Sequence, residues 1–373
     1  MKSSRTKLVI VVNDFLVGGA QRLIVELLLR LDRSRFDIVL VTLMQFEERE
    51  TMYRLLPADT PVRRLDFKGF TDVASWIALG RLLKKEQPRV VLSHLFFSNT
   101  VVRLLNIFLE YRTITVEHNT YTGNTRLQIW CDQLLSRFSC KIVAVSRAVM
   151  EFASHQQHVP LGKFVVIRNG VDVQTLAQNV AVVDTLNLKR ELQLAPDDKF
   201  IVSVGRLTGQ KNPLLLIEGF ARFARTRSDY HLIILGDGAL RREMETRAKA
   251  LGISNQVRFL GNVPDVLRYY AAAEFLISTS HIEGLSMAHL EALACRVPLL
   301  ATRTAGSEEL IEESKNGFFI NEGTPEAVAE GLTRMRRANI KELREHAREV
   351  AKRYDIRITV DQYEKLASSV AEA

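Results

Sequence analysis

The sequence predicts an α/β protein made of two doubly wound domains. Short apolar runs rich in β-branched residues alternate with stretches that have helical leucine spacing, as in residues 7–12 followed by residues 20–31. Apolar strands of this kind are typical of parallel sheets that helices cover on both faces. The 373 residues accommodate two such domains at roughly 150 residues each. Strands are expected at residues 7–12, 36–43, 89–92, 113–116, 141–145, 200–204, 231–235, 257–260, 275–278 and 298–301.

A polar, irregular stretch, residues 173–198, separates the two sets of strands and is interpreted as a linker. We therefore expect domains at residues 1–180 and 181–355, with a last helix, residues 356–373, that rejoins the first domain. Ligands of doubly wound sheets bind at the carboxyl ends of the strands. Two such edges that face one another would form a deep cleft, and the functional site is expected there.

The composition indicates a protein of the cytoplasm. No apolar run approaches the roughly 18–20 residues of a membrane span, and the first run, residues 8–12, is shorter than the core of a signal peptide. Cys131, Cys140 and Cys295 lack the spacing of disulfide or metal motifs, which favours a reducing compartment.

The net charge of +8 lies entirely in the first half of the chain. Residues 1–175 hold 24 Lys/Arg and 16 Asp/Glu, whereas the remaining residues hold 27 of each. Such a basic half indicates an anionic partner, although ordinary surface charge explains it equally well. Because no nucleic-acid-binding motif accompanies the charge, nucleic acid is not an expected partner.

Two loop motifs have the residue types of a phosphate site. Gly18-Gly19 follows the first strand and opens a helix, where free N–H groups and the helix dipole attract anions; a simple tight turn is the equal alternative. Arg206 and Lys211 follow the first strand of the second domain. Two cations there would stabilise the charge on a departing diphosphate, and solvated surface cations are the alternative.

The most informative motif is residues 280–295, in which Glu283 precedes a predicted helix that contains Glu291. Glu291 would lie about six residues into that helix, roughly 9 Å along its axis. This is about the distance from a sugar to a ribose across a diphosphate. One carboxylate would bind sugar hydroxyls and the other ribose hydroxyls, with the helix N-terminus facing the phosphates between them.

The two glutamates, with Glu291-Ala-Leu-Ala-Cys295 and Pro298-Leu-Leu-Ala-Thr302 after them, resemble the signature of the retaining glycosyltransferase family 4. The resemblance implies the GT-B fold, in which two Rossmann-like domains face each other across a cleft. It also implies a hexosyltransferase-type activity that uses a nucleotide-diphosphate sugar, with a UDP-sugar favoured. Further matches along the chain are Gly18-Gly19-Ala20, Val145-Ser146, Asn169-Gly170-Val171-Asp172, Gly205-Arg206 with Lys211, Gly236-Asp237-Gly238, Val257-Arg-Phe-Leu-Gly261 and Asn316-Gly317.

The resemblance also assigns roles to residues of the second domain. Arg206 and Lys211 would bind the donor diphosphate and assist catalysis. Glu283 would hold donor-sugar hydroxyls, and Glu291 would hold the ribose. The backbone amides of Leu285 and Ser286 would contact sugar and phosphate.

In the first domain, the resemblance implies two further contacts. Gly19 would contact the donor phosphates. His118, in Val116-Glu117-His118-Asn119, matches a histidine that the family carries near the reacting sugar.

The chain departs from the family pattern at three places. Gly284-Leu285-Ser286 replaces the common Gly-Phe-Gly, Arg296 replaces a common Gly, and Ala305-Gly306 replaces Gly-Gly. These differences bear on which donor sugar fits. A sugar-nucleotide epimerase of the same fold is an alternative, whereas a dehydrogenase would require the G-x-G-x-x-G fingerprint that the chain lacks.

No D-x-D pair occurs in the sequence, so we expect no metal ion and no cofactor beyond the nucleotide-sugar co-substrate. The family implies that the departing phosphate accepts the proton of the acceptor.

The expected acceptor is a glycan or a polyprenyl- or lipid-linked glycan of surface polysaccharide, lipopolysaccharide or glycolipid synthesis. Residues 103–112 and 126–138 mix apolar and cationic side chains and suit an anionic bilayer surface. We expect peripheral attachment to the inner face of the cell membrane. Inner faces of ordinary core helices, and a soluble small-molecule acceptor, are the alternatives.

Overall fold

The computed structural model describes residues 5–45, 52–120, 123 and 125–373. The chain divides into two compact units, Met1–Gly170 with Ile356–Ala373, and Val171–Asp355. The predicted boundary at 180/181 is therefore too late in the chain. Val171 already belongs to the second unit, because its N–H donates to the carbonyl oxygen of Tyr354 at 3.0 Å.

The first unit is built on a parallel sheet, and seven of its strands lie in the described residues. Their order is β3-β2-β1-β4-β5-β6-β7. The inner strands are apolar along nearly their whole length; Val9 to Val12 of β1, for example, are fully buried. The strands are β1 (Thr6–Val12), β2 (Phe36–Thr42), β3 (Val62–Arg64), β4 (Val90–His94), β5 (Arg112–Glu117), β6 (Lys141–Ala144) and β7 (Phe164–Val166).

Helices of the first unit begin where polar side chains cap their free N–H groups. The Asp72, Thr125 and Ser146 side chains each accept a hydrogen bond from the main chain of the following turn. The helices are α1 (Gly19–Arg30), α2 (Val73–Glu86), α3 (Phe96–Leu105), α4 (Arg126–Leu135), α5 (Arg147–Gln157) and the last helix of the chain, α15 (Ile356–Glu372).

Specific contacts attach α15 to the first unit. Glu364 accepts from the main-chain N–H of Asp32 at 2.8 Å and pairs with Arg35 at 2.9 Å. Thr359 Oγ1 donates to the carbonyl oxygen of Arg168 at 2.9 Å. The close approach leaves no space for a side chain at Gly170, where an added Cβ would meet the α15 backbone.

Arg103 is the buried charge of the first unit. Its guanidinium has no exposed surface and donates to Asp132 on α4, to Ser139 and to Thr115 on β5, each at 2.9 Å. The expectation that Arg103 faces a membrane is therefore wrong. Such a buried arginine is stable because its charge is paired with a carboxylate and each of its three side-chain nitrogens donates a hydrogen bond.

The second unit has the same architecture, with six strands of one parallel sheet in the order β10-β9-β8-β11-β12-β13. Its strands are β8 (Lys199–Val204), β9 (Tyr230–Leu235), β10 (Val257–Gly261), β11 (Leu276–Ser278), β12 (Leu299–Thr302) and β13 (Gly317–Ile320). Its helices are α6 (Val173–Ala181), α7 (Thr185–Glu191), α8 (Pro213–Ala224), α9 (Arg241–Ala250), α10 (Leu267–Ala272), α11 (Met287–Ala294), α12 (Ala305–Leu310), α13 (Pro325–Arg337) and α14 (Ile340–Lys352).

Every predicted strand is present, and three strands were missed. The missed strands β3, β7 and β13 each form the edge of a sheet and are only three or four residues long. The predicted linker is also wrong, because residues 173–198 contain α6 and α7. Asp172 and Asp184 cap these helices, so their polar sequence is that of amphipathic surface helices.

Candidate active site

The loop after β8 holds the two predicted cations at the carboxyl edge of the second sheet. Gly205 ends the strand with φ +151°, a conformation that favours glycine. Arg206 follows and is exposed, and its side chain has no ion pair among the described residues. A short 3₁₀ turn, Gly209–Lys211, then brings Lys211 to the end of the loop. Arg206, Lys211 and Ser280 are among the residues that line a small cavity of about 20 Å³.

Lys211 forms an ion pair with Glu283, from the loop that follows β11. The Glu283 residue is 9% exposed, and Ser280 Oγ donates to the same carboxylate oxygen at 3.3 Å. His289 lies behind this pair on α11, where burial lowers its pKa to about 4. The structure therefore joins two predicted site residues that are far apart in sequence.

Glu291 lies on α11, at its fifth residue, and is partly buried. The helix begins at Met287 rather than directly after Gly284, so the rise from its first residue to Glu291 is about 6 Å. Leu285 and Ser286 are buried just before the helix, 3% and 6% exposed. The Ser286 hydroxyl does not cap α11.

Hydrogen bonds to main-chain carbonyl oxygens connect the loop after β8, the loop after β11 and the start of α12. The N–H of His281 donates to the carbonyl oxygen of Gln210 at 2.9 Å, and Gln210 Nε2 donates to that of Ile282 at 3.0 Å. From the first turn of α12, the N–H of Gly306 donates to the carbonyl oxygen of Glu283 at 3.0 Å. These bonds fix the main chain on both sides of the Lys211–Glu283 pair.

In the first unit, Gly18 and Gly19 lie at the N-terminus of α1, at the end of the loop that follows β1. Gly18 is the N-cap and supplies no side-chain bond, and Gly19 is exposed. The turn is held by Gln21, whose Nε2 donates to Asp14 Oδ1 at 2.9 Å. The arrangement matches the predicted one, a glycine turn that opens a helix.

His118 follows β5 and lies against a second histidine that the sequence analysis missed. His94, the last residue of β4, has its Nδ1 3.1 Å from His118 Nε2. Burial lowers the pKa of His118 to about 4, and burial with the nearby His118 keeps that of His94 well below its ordinary value. Both rings are therefore neutral at pH 7. The sequence did hold a signal for this contact, because His94 and His118 each lie just after a predicted strand.

Two family models match the chain, one in each unit. The model described as Glycosyltransferase Family 4 matches residues 17–175, and the model described as Glycosyl transferases group 1 matches residues 184–354. The chain belongs to this family of glycosyltransferases. The resemblance carried by the two glutamates and the lysine is thereby confirmed, and so is the transferase class.

Relatives of this glycosyltransferase are similar in sequence over half, or nearly all, of its length. An uncharacterized glycosyltransferase of Methanocaldococcus jannaschii is 29% identical over 53% of the chain, a match that spans about half, 51%, of that relative. A Campylobacter jejuni protein is 26% identical over 95% of the chain and 96% of its own length. Its name describes an α-1,4-N-acetyl-D-galactosaminyltransferase acting on a diNAcBac-PP-undecaprenol-linked glycan.

Solved structures confirm the predicted GT-B fold. The Anabaena protein HepE, crystallised with UDP-glucose, is similar with a TM-score of 0.85. The alignment covers 98% of this chain and 100% of that one at 18% identity. At this identity the likeness shows the fold of the glycosyltransferase and leaves its substrates to be tested.

The Gly306 contact provides a test of how the glycosyltransferase holds its site. A Cβ at residue 306 would collide with the main chain of Gly284. We expect Gly306→Ala to lower the free energy of unfolding by about 1–3 kcal/mol, as overpacking does. The control is Gly323→Ala, since Gly323 is exposed and an added Cβ would meet nothing there. Denaturant unfolding measures the effect, and equal stability of the two variants would contradict the close contact between Gly306 and Gly284.

Proposed function

We propose that this glycosyltransferase is retaining and moves a sugar from a UDP-sugar to a lipid-linked glycan at the cytoplasmic face of the membrane. The observation that carries the proposal is the contact between Lys211 and Glu283 at the carboxyl edge of the second sheet. The name of the C. jejuni relative supports a lipid-linked acceptor, and HepE, crystallised with UDP-glucose, supports the choice of UDP.

The proposed roles in the second unit follow from the positions of the charges. Lys211 and the exposed Arg206 would bind the diphosphate and stabilise its charge as the sugar leaves. Glu283 would accept hydrogen bonds from the sugar hydroxyls. Glu291 would bind the ribose, and the main-chain N–H groups of Leu285 and Ser286 would lie against sugar and phosphate at the start of α11.

The Lys211–Glu283 pair explains how a cation and a carboxylate can both be stable in the site before a donor binds. Each side chain is mostly buried, 22% and 12% exposed, and a buried charge is stable when it is paired. A bound donor would replace each partner, with phosphate beside Lys211 and hydroxyls beside Glu283. The pair is therefore neutral before binding, and its two charges would face a sugar diphosphate when the pair separates.

In the first unit, Gly19 would contact the phosphates through its main chain, and His118 would lie near the reacting sugar. The departing phosphate would accept the acceptor's proton, so the proposed mechanism gives no protein side chain the role of general base.

Substitution of the two cations tests the site. We expect Lys211→Ala and Arg206→Ala each to lower the turnover number at least about tenfold, because each removes charge stabilisation of the leaving diphosphate. Turnover is measured as UDP released from labelled UDP-sugars, and thermal unfolding shows whether the fold is retained. Lys249→Ala, at an exposed lysine of α9, is the matched control. Near-normal turnover in both site variants would overturn the assignment.

We further propose that the reaction needs no metal ion. The support is the missing D-x-D pair, and no cluster of three potential metal ligands occurs among the described residues. We expect turnover to continue in the presence of EDTA, since Arg206, Lys211 and the α11 N-terminus would supply the positive potential. Complete loss of turnover that manganese or magnesium restores would contradict this, whereas modest stimulation by a metal would not.

We also propose that the first unit attaches to an anionic membrane surface. It holds 26 Lys/Arg against 18 Asp/Glu, whereas the second unit holds 25 of each. Four large apolar side chains of the predicted segments are exposed: Phe108 is 81% exposed, Leu127 68%, Trp130 57% and Ile107 47%. Leu127 and Trp130 lie three residues apart on one face of α4, which is the spacing of an interfacial helix. Within the described part of the chain, no helix has the length and apolarity needed to cross a bilayer.

Liposome co-sedimentation tests the attachment. We expect the protein to pellet with anionic liposomes at low salt and to remain in the supernatant at high salt, because salt screens surface charge. The double variant Leu127→Ser/Trp130→Ser should bind more weakly, whereas Val182→Ser should bind normally, since Val182 is 83% exposed but lies in the second unit. A protein that stays in the supernatant at low salt would refute membrane attachment without bearing on sugar transfer.

A further inference from the structure

His94 and His118 lie within hydrogen-bond distance of each other. His94 Nδ1 and His118 Nε2 are 3.1 Å apart, and the ring centroids are 5.3 Å apart at an interplanar angle of 32°. In a neutral imidazole, one nitrogen carries the proton and the other carries a lone pair. The contact therefore requires that one ring donates and the other accepts, and the direction decides which nitrogen of His118 is available to a substrate.

The surroundings of His94 decide the direction. The residue is fully buried, and no described group forms a hydrogen bond with its Nε2. If His118 donated, His94 would carry its proton on Nε2 as a buried N–H without an acceptor. If His94 donates, Nε2 keeps only a lone pair. Because buried N–H groups without a partner are rarer than buried acceptors without one, donation from His94 Nδ1 is favoured.

The backbone next to His94 is strained. Leu95 has φ +74° and ψ 153°, a region that is almost restricted to glycine and costs about 1–3 kcal/mol for another residue. Strain of this size persists only where neighbouring structure holds it, and it is concentrated at functional sites. The strained residue directly joins His94, the end of β4, to the first turn of α3.

Bonds from three directions hold this turn. The N–H of Asn99 donates to the carbonyl oxygen of Leu95 at 2.9 Å, and its side chain bonds Ser93 at 2.8 Å and the carbonyl oxygen of Val116 at 3.2 Å. Asn13, after β1, accepts from Ser98 at 2.9 and 2.7 Å. The strand ends of β1, β4 and β5 are thus locked together, and the His94 ring is held against His118.

We propose that His94 is a positioning residue that holds His118 in one tautomer. His94 Nδ1–H donates to His118 Nε2, so the proton of His118 is on Nδ1. His118 then presents an N–H to a hydroxyl oxygen of the bound sugar or acceptor, and its Nε2 lone pair is occupied and is not available as a base. This inference rests on the proposed function for one point, the placement of His118 beside the reacting sugar.

The tautomer can be read directly from the protein. In wild-type protein labelled with ¹⁵N-histidine, NMR at neutral pH should show His118 with a protonated Nδ1 and an unprotonated Nε2, with His118→Ala used to assign the signals. A protonated Nε2 on His118 overturns the proposal. This measurement needs no folded variant of His94 and no activity.

Two substitutions of His94 test its effect on the reaction. His94→Leu removes the donor, and we expect the turnover number to fall about tenfold or more, with UDP affinity retained because the proposed UDP contacts of Lys211 and Glu291 lie in the second unit. His94→Asn places an amide N–H near the position of Nδ1 and should recover most of the lost turnover. If His94 has only a structural role, the turnover number of both variants should instead fall in line with their loss of thermal stability.

The outcomes separate this inference from the proposed function. If His118→Ala lowers turnover but His94→Leu does not, His118 acts in the reaction and the positioning role of His94 is wrong. If His118→Ala itself leaves turnover unchanged, the proposed placement of His118 is wrong. The proposed role of its tautomer in the reaction is then wrong as well. Low turnover in His94→Leu, with recovery in His94→Asn and the Nδ1–H tautomer in the wild type, supports the proposal.

Discussion

The parallel hydrogen-bond ladder of each sheet is the constraint on which the rest of the molecule depends. In a parallel sheet, every strand ends at the same edge, so the loops that follow the strands are brought together whatever their distance in sequence. Val9 to Val12 in the first unit, and Phe200 to Val202 in the second, are fully buried, which leaves polar groups to gather where the strands end. Lys211, Glu283, His94 and His118 all stand at such ends.

Several polar groups at these edges have a close partner. Lys211 is paired with Glu283, and hydrogen bonds to main-chain carbonyl oxygens connect the segments around them. His94 and His118 pair with each other, and the turn beside them is strained at Leu95. Such strain and half-buried charge cost free energy that the apolar sheets offset.

Much of the fold and part of the site could be predicted from the sequence. Buried strands have a pattern of their own, because a strand covered on both faces must be apolar throughout. Edge strands have no such requirement, and β3, with two exposed arginines among its three residues, was missed for that reason. Residues 173–198 were interpreted as a linker because α6 and α7 are short surface helices with few buried residues, Val173 and Leu188. Arg103 was misplaced because burial of an arginine depends on Asp132, Thr115 and Ser139, which lie on other elements.

The sequence by itself determined the family, the alternation of strands and helices, and the residue types at the strand ends. These features depend on local periodicity and on short motifs, such as the two glutamates on either side of Ser286. Only the tertiary structure decided which of these residues touch. Lys211 and Glu283 are 72 positions apart, and His94 and His118 are 24 apart; no local pattern records such contacts. They arise because adjacent parallel strands end side by side, and strand order is a property of the folded sheet and not of any segment alone.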